Sequence, residues 1–309
     1  MMKYMAFVLL AACTLVLTAC GAPATQQATQ GSYATITDDN GRTVSFDKKP
    51  ERIVVTSASF LEPLYAVGGT VVGRPDSKSK IPEAAKSATN IGRVYQIDAE
   101  KVLALTPDLV ILNKGMNEKL VETLEANNVK TLVLDMKSYA DVKREIGIFA
   151  TLTGEKAKGD ELIQKMDADI AAVRASIPQE KKRVAIIHST GQGLSVQLDG
   201  SIAGSIANML GWENTAAGMP ALDKNPDAAP YSMETLVAQN PDIIFVTSMG
   251  EEAEIRASME AMFAESPAWQ SVNAIRDGRV YYLPQEMFLF SPGIEYPAAV
   301  KYMARLVYP

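Results

Sequence analysis

Ala99-Glu-Lys-Val-Leu-Ala-Leu-Thr-Pro-Asp-Leu-Val-Ile-Leu112 and Met233-Glu-Thr-Leu-Val-Ala-Gln-Asn-Pro-Asp-Ile-Ile-Phe-Val246 are two versions of one pattern. In each, a short amphipathic stretch runs into Pro-Asp and then into an unbroken apolar run. Proline stops a helix, and an apolar run without alternation suits a strand covered on both faces. The spacing repeats too: Arg52-Ile-Val-Val lies 55 residues before Pro107, and Arg183-Val-Ala-Ile lies 58 residues before Pro241. A unit that occurs twice at this scale predicts two lobes of like topology.

Working outward, Val129-Lys-Thr-Leu-Val-Leu134 and Arg279-Val-Tyr-Tyr-Leu283 read as further buried strands, and Ala34 to Phe46 as a hairpin turning at Asn40-Gly41. Between the two copies, Leu162, Ile163, Met166, Ile170, Val173 and Ile177 recur at helical spacing until Pro178. A helix over Glu155–Ile177 is about 35 Å long, a stiff connection. The predicted fold is therefore α/β: two Rossmann-like lobes with parallel sheets, over 33–153 and 179–309, joined by a single long helix within 154–178.

Of the 309 residues, 47% are hydrophobic and 21% charged, with 30 Lys+Arg against 36 Asp+Glu, which fits a globular protein and no basic nucleic-acid surface. A single His and two Cys leave too few ligands for a zinc or bare transition-metal cage. Direct metal binding and a resident cofactor are therefore not expected.

Both cysteines fall in the first 20 residues. Lys3, an apolar stretch to Leu17 and the end Leu17-Thr-Ala-Cys20 form a signal-peptide pattern over 1–19. The last four residues resemble the bacterial lipobox, which makes Cys20 the acylated first residue of the mature chain. A plain secretory cleavage near Ala22 or Ala24 is the alternative. Residues 20–32, small and polar, suit a flexible lipidated tether, and the expected location is the outer face of the cell membrane or the periplasm.

Enzymatic chemistry has little to stand on. Neither a phosphate loop nor a Gly-x-Ser-x-Gly elbow occurs. A nucleophilic triad would need His188, with Ser57, Ser59 or Ser189 beside it, so a cell-surface hydrolase is one competing class and a structural adhesin another. Ligands of open parallel sheets bind at the carboxyl ends of strands, which singles out Met116, His188, Met249 and the stretch Pro284–Phe290; the loop Ile91–Tyr95, ahead of the helix that ends at Leu105, adds Arg93 and Tyr95, and Phe288, Phe290 and Tyr231 read as aromatic walls or core. Glu62, at capping-box spacing from Ser59, and Glu234, behind Ser232, mark two helix starts. Placed one per lobe, they read either as helix-start electrostatics or as anchor points for a basic partner.

The ordered set Arg42-Thr-Val-Ser-Phe-Asp-Lys-Lys-Pro-Glu-Arg-Ile-Val-Val55, Ser59-Phe-Leu-Glu-Pro-Leu-Tyr-Ala-Val-Gly68, Ile91-Gly-Arg-Val-Tyr95, Leu105-Thr-Pro-Asp-Leu-Val-Ile111, Asn240-Pro-Asp-Ile-Ile244 and Asp277-Gly-Arg-Val-Tyr281 resembles the bacterial ABC-transporter substrate-binding lipoproteins of the iron-siderophore, haem and corrinoid type. The resemblance implies a ligand held between the lobes, an ABC permease with its cytoplasmic ATPase as partner, and a monomer. It implies that Glu62 and Glu234 dock onto permease arginines. In haem-binding members the axial ligands come from the loops matching Arg93–Tyr95 and Ser248-Met249. Siderophore-binding members place Arg and Tyr around an anionic chelate, as Arg93, Tyr95 and Tyr231 would. A ferric siderophore is expected first, haem next and a corrinoid third, the metal arriving already wrapped in its chelate.

Overall fold

The Pro-Asp pair plays the same part in both halves. The Asp108 carboxylate accepts the N–H groups of Glu51 and Arg52 at 2.8 and 2.9 Å, and Asp242 accepts that of Arg183 at 2.9 Å. Each aspartate thus ties the start of its own strand to the start of the strand led by Arg52 or Arg183. The residues before the prolines, Thr106 and Asn240, both take the left-handed conformation at φ 45°, which ends the preceding helix and turns the chain back into the sheet.

The computed structural model of the chain describes residues 32–77 and 81–309. The expected signal peptide, Cys20 and the tether up to residue 31 lie outside the described residues. A hairpin of β1 (Ala34–Thr37) and β2 (Thr43–Phe46) leads in. The first sheet contains β3 (Ile53–Val55), β4 (Gly73–Asp76), β5 (Thr89–Arg93), β6 (Gln96–Ile97), β7 (Leu109–Asn113) and β8 (Lys130–Leu134), in the order β6-β5-β4-β3-β7-β8 and parallel except for β6. The second contains β9 (Arg183–Thr190), β10 (Gly193–Gln197), β11 (Glu213–Asn214), β12 (Ala228–Pro230), β13 (Ile243–Met249) and β14 (Val280–Tyr282), in the order β12-β10-β9-β13-β14 with β11 on β9.

Here the structure departs from an all-parallel second sheet. β10 runs antiparallel to both β9 and β12, because the loop Gly191-Gln192 is too short for a crossover and only a hairpin can follow. In the first sheet, β4 reads Gly-Arg-Pro-Asp and offers no apolar run to recognise. Its glycine sits in a tight space, where a Cβ at Gly73 would stand 2.6 Å from Leu105 Cδ1, 3.1 Å from Val54 Cγ2 and 3.2 Å from Ile91 Cγ2.

The helices are α1 (Leu61–Ala66), α2 (Ala99–Ala104), α3 (Leu120–Ala126), α4 (Tyr139–Thr153), α5 (Lys156–Ser176), α6 (Ile202–Met209), α7 (Met233–Gln239), α8 (Glu252–Glu265), α9 (Pro267–Gln270), α10 (Asn273–Arg276), α11 (Gln285–Phe288) and α12 (Tyr296–Val307). The expected linker helix is α5. It packs between α4 and α12, and residues Ser32–Pro309 form one compact unit. One hydrophobic cluster runs through both halves, from Phe60, Leu64 and Phe149 past Met166 to Val184, Phe245 and Met303. The halves also touch where the Tyr139 and Tyr296 rings lie 5.3 Å apart and where Lys137 Nζ stands 3.3 Å from an Asp227 carboxylate oxygen.

One buried charge site sits on α4. Glu145 is fully buried; its Oε1 accepts from Arg144 Nη2 at 3.3 Å, and its Oε2 has no hydrogen-bond partner among the described residues. Burial, with Asp39 adding, pushes its pKa from 4.5 up to about 9. A carboxyl that holds its proton more tightly folded than unfolded contributes stability that is complete below its unfolded pKa and drains as pH rises toward its folded one. Melting temperatures measured from about pH 5 to about pH 9 should therefore fall in wild type by an amount that Glu145→Gln removes; equal slopes in the two proteins would refute this assignment.

Candidate functional site

The carboxyl ends of the parallel strands place the site. After β3 come Ser57 and Ala58; after β5 the chain turns through Val94-Tyr95 into β6, pairing Arg93 with Gln96. Gly92, at φ 107°, permits that turn, since a Cβ there would stand 2.5 Å from the Gln96 carbonyl oxygen. Arg93 Nη1 donates to the Tyr95 hydroxyl at 2.8 Å. That hydrogen bond and the partial charge of the phenol raise the guanidinium pKa further, so Arg93 is a fixed cation. Tyr95 is 63% exposed.

Arg93 and Tyr95 line a pocket of about 370 Å³ together with Ser57, Asp76 and Phe290. Phe290 comes from the second half, so the pocket has walls from both. Met116, beyond β7, and Met249, at the end of β13, are 53% and 55% exposed at the carboxyl edges of their sheets. These are side chains a soft or apolar ligand can reach.

His188, near the end of β9, is half-buried, and its Nδ1 lies 2.9 Å from Thr247 Oγ1. Burial pushes its pKa below the ordinary imidazole value, which favours the neutral ring. Ser189, the next residue in the strand, projects from the opposite face of the sheet. The hydrogen bond to Thr247 takes the place that a triad carboxylate would need to occupy.

Two sequence expectations are corrected. Phe288 is not a pocket wall: it is 2% exposed and packs against Tyr302 at 6.2 Å. One turn of α11 rolls it inward, while Phe290, 48% exposed, takes the wall. Tyr231 does not join Arg93 and Tyr95. It is half-buried in a separate hollow with Met233, Met262 and Trp269, where burial, with Glu234 adding, pushes its phenol up to about 12.

The two glutamates also separate. The capping box expected at Ser59–Glu62 is replaced by Ser57, whose side chain accepts the Ser59 N–H and caps a short 3-10 turn ahead of α1. Glu62 is half-buried in α1, which follows a strand, whereas Glu234 is exposed in α7, which precedes one. The helix of the first half that matches α7 is α2, leading into Pro107-Asp108, and its exposed first-turn glutamate is Glu100. Asp98 caps α2 through the Glu100 and Lys101 N–H groups, and Ser232 caps α7 through that of Thr235. The signal for Glu100 was already in the repeat, since aligning the Pro-Asp pairs pairs it with Glu234.

A pocket at the carboxyl edges of two α/β sheets, walled from both halves of one chain, defines a two-lobed binding protein. The family model for periplasmic binding proteins matches residues 53–287, and the chain belongs to that family. YvrC of Bacillus subtilis, an uncharacterised ABC transporter substrate-binding lipoprotein, is 26% identical over 310 residues, spanning 96% of this chain and 94% of that protein. YfiY of the same species, a probable siderophore-binding lipoprotein, is 23% identical over 305 residues, spanning 94% and 93%.

Solved structures share the fold. An ABC transporter substrate-binding protein from Listeria monocytogenes gives a TM-score of 0.74 at 24% identity, covering 84% of this chain and 98% of that one. Staphylococcus aureus SirA complexed with staphyloferrin B gives 0.73 at 19%, covering 89% and 98%. IsdE of the same species, complexed with heme, gives 0.71 at 22%, covering 84% and 99%.

The different places of the two phenylalanines are measurable. Phe288→Ala should lower stability by about 3 to 5 kcal/mol in chemical denaturation, as for a buried aromatic, while Phe290→Ala should leave the midpoint nearly unchanged. Equal losses would return Phe288 and Phe290 to the same environment.

Proposed function

We propose that this protein is an extracytoplasmic substrate-binding lipoprotein, anchored through Cys20, that captures a ferric siderophore between its two halves and delivers it to an ABC permease. It binds its ligand without turnover. The observation that carries the reading is the Arg93–Tyr95 pair at the mouth of a pocket walled from the other half by Phe290. A guanidinium beside a phenol complements an anionic oxygen-rich chelate, and an aromatic wall complements its apolar backbone. One relative described as a probable siderophore-binding lipoprotein and a fold neighbour solved with staphyloferrin B support the same class. Haem is the second reading, favoured by the exposed Tyr95 hydroxyl and Met249 thioether on opposite halves.

Titration calorimetry with a ferric tris-catecholate, a ferric tris-hydroxamate and haemin decides between them. The expected result is tight binding of a ferric siderophore, weakened tenfold or more by Arg93→Ala. A Soret shift with haemin, and no heat with either siderophore, would replace the first reading with the second.

Delivery requires a docking face. Glu100 and Glu234 head α2 and α7, and each helix runs back toward the amino end of the strand it precedes, which puts both first turns at the carboxyl edges of the sheets. We take this pair, rather than Glu62 and Glu234, as the contact for arginines of the permease. Glu100→Arg or Glu234→Arg should abolish iron uptake by cells while ligand affinity of the purified protein stays unchanged, and Glu62→Arg should leave uptake largely intact. Loss of uptake with Glu62→Arg but not with Glu100→Arg would reverse the assignment.

A further inference from the structure

Beneath the first-half wall of the pocket lies a small buried polar network. Asn117 and Thr56 are both buried, at 2% and 0% exposure. The Thr56 hydroxyl donates to Asn117 Oδ1 at 2.7 Å and accepts the Asn113 N–H at 3.0 Å. Asn117 Nδ2 donates to the Val94 carbonyl at 2.6 Å. A carbonyl can only accept, so the amide of Asn117 has one orientation that satisfies both contacts. The single side chain therefore joins the end of β3, the end of β7 and the β5–β6 turn.

Four first-half candidates for ligand contact are immediate chain neighbours of residues in this network. Ser57 follows Thr56, Arg93 and Tyr95 flank Val94, and Met116 precedes Asn117. Arg93 and Tyr95 themselves are exposed, and a two-residue turn without tertiary support would sample many orientations. We infer that Asn117 is the positioning residue of the ligand site: through its hydrogen bond to the Val94 carbonyl it sets the orientation of the turn that carries Arg93 and Tyr95. It touches no ligand itself. The inference deepens the binding role proposed above and rests on it for its effect on affinity, but not for its effect on the turn.

The test uses the full mature chain with Asn117→Ala, Thr56→Val and Thr56→Ser, the last keeping the hydroxyl. Amide hydrogen exchange over residues 92–97 should rise tenfold or more in Asn117→Ala and, to a smaller degree, in Thr56→Val, with β13 unchanged and Thr56→Ser close to wild type. Affinity for the ferric tris-catecholate should fall tenfold or more in Asn117→Ala. In an Arg93→Ala/Tyr95→Ala background the same change should cost almost nothing further, because nothing remains for the turn to position. Unchanged exchange at 92–97 in folded Asn117→Ala overturns the inference, as does an equal affinity loss in both backgrounds. If no ferric probe binds wild type, the siderophore reading fails, and the exchange measurement still decides the role of Asn117.

Discussion

Gly159 of α5 lies against Ala150 of α4 so closely that a Cβ on it would stand 2.5 Å from the Ala150 Cβ. That approach draws the two long helices together, and α12 closes on the other flank of α5. Because of it, the core of the first half continues through Met166 into that of the second. Pulling the halves apart would expose apolar surface at a cost of about 25 cal/mol per Å², which opposes their separation. Phe290 and Tyr95 wall one pocket from opposite halves on this frame.

On this frame the two halves divide the chemistry. The first lines the pocket with a fixed cation, a phenol and a serine hydroxyl on short turns; the second lines it with Phe290, while Met249 is exposed at the carboxyl edge of its sheet. A ligand with a charged, oxygen-rich face and an apolar face is complementary to that split. The repeated elements serve the frame instead: Asp108 and Asp242 pin strand starts at the amino edge, and Thr106 and Asn240 turn the chain into those strands.

Periodicity and repetition made the fold readable. Unbroken apolar runs marked β3, β7, β8, β9, β13 and β14, and the spacing of Leu162 through Ile177 marked α5, because burial on both faces of a strand or one face of a helix constrains every residue concerned. β4 and β5 carry glycine, proline and polar residues, and β10 depends on a two-residue loop, so local pattern could not announce them. Arg93 and Tyr95 were accessible as a pair from the loop Ile91–Tyr95 ahead of α2, although the strand that leads into that loop was not. Phe288 and Phe290 were not separable, since which of two aromatics faces the core depends on how α11 sits against α12.

What the sequence determined by itself was the duplicated α/β plan and the long helix between the two copies, both of which follow from period and spacing. Tertiary structure alone decided which side chains share a pocket. It withdrew Tyr231 and Phe288, kept Phe290 on the pocket wall, and put Asn117 beneath the Tyr95 turn. Those relations join residues apart in the chain, and their physical cause is tertiary packing within each half and between the two, which no local pattern encodes.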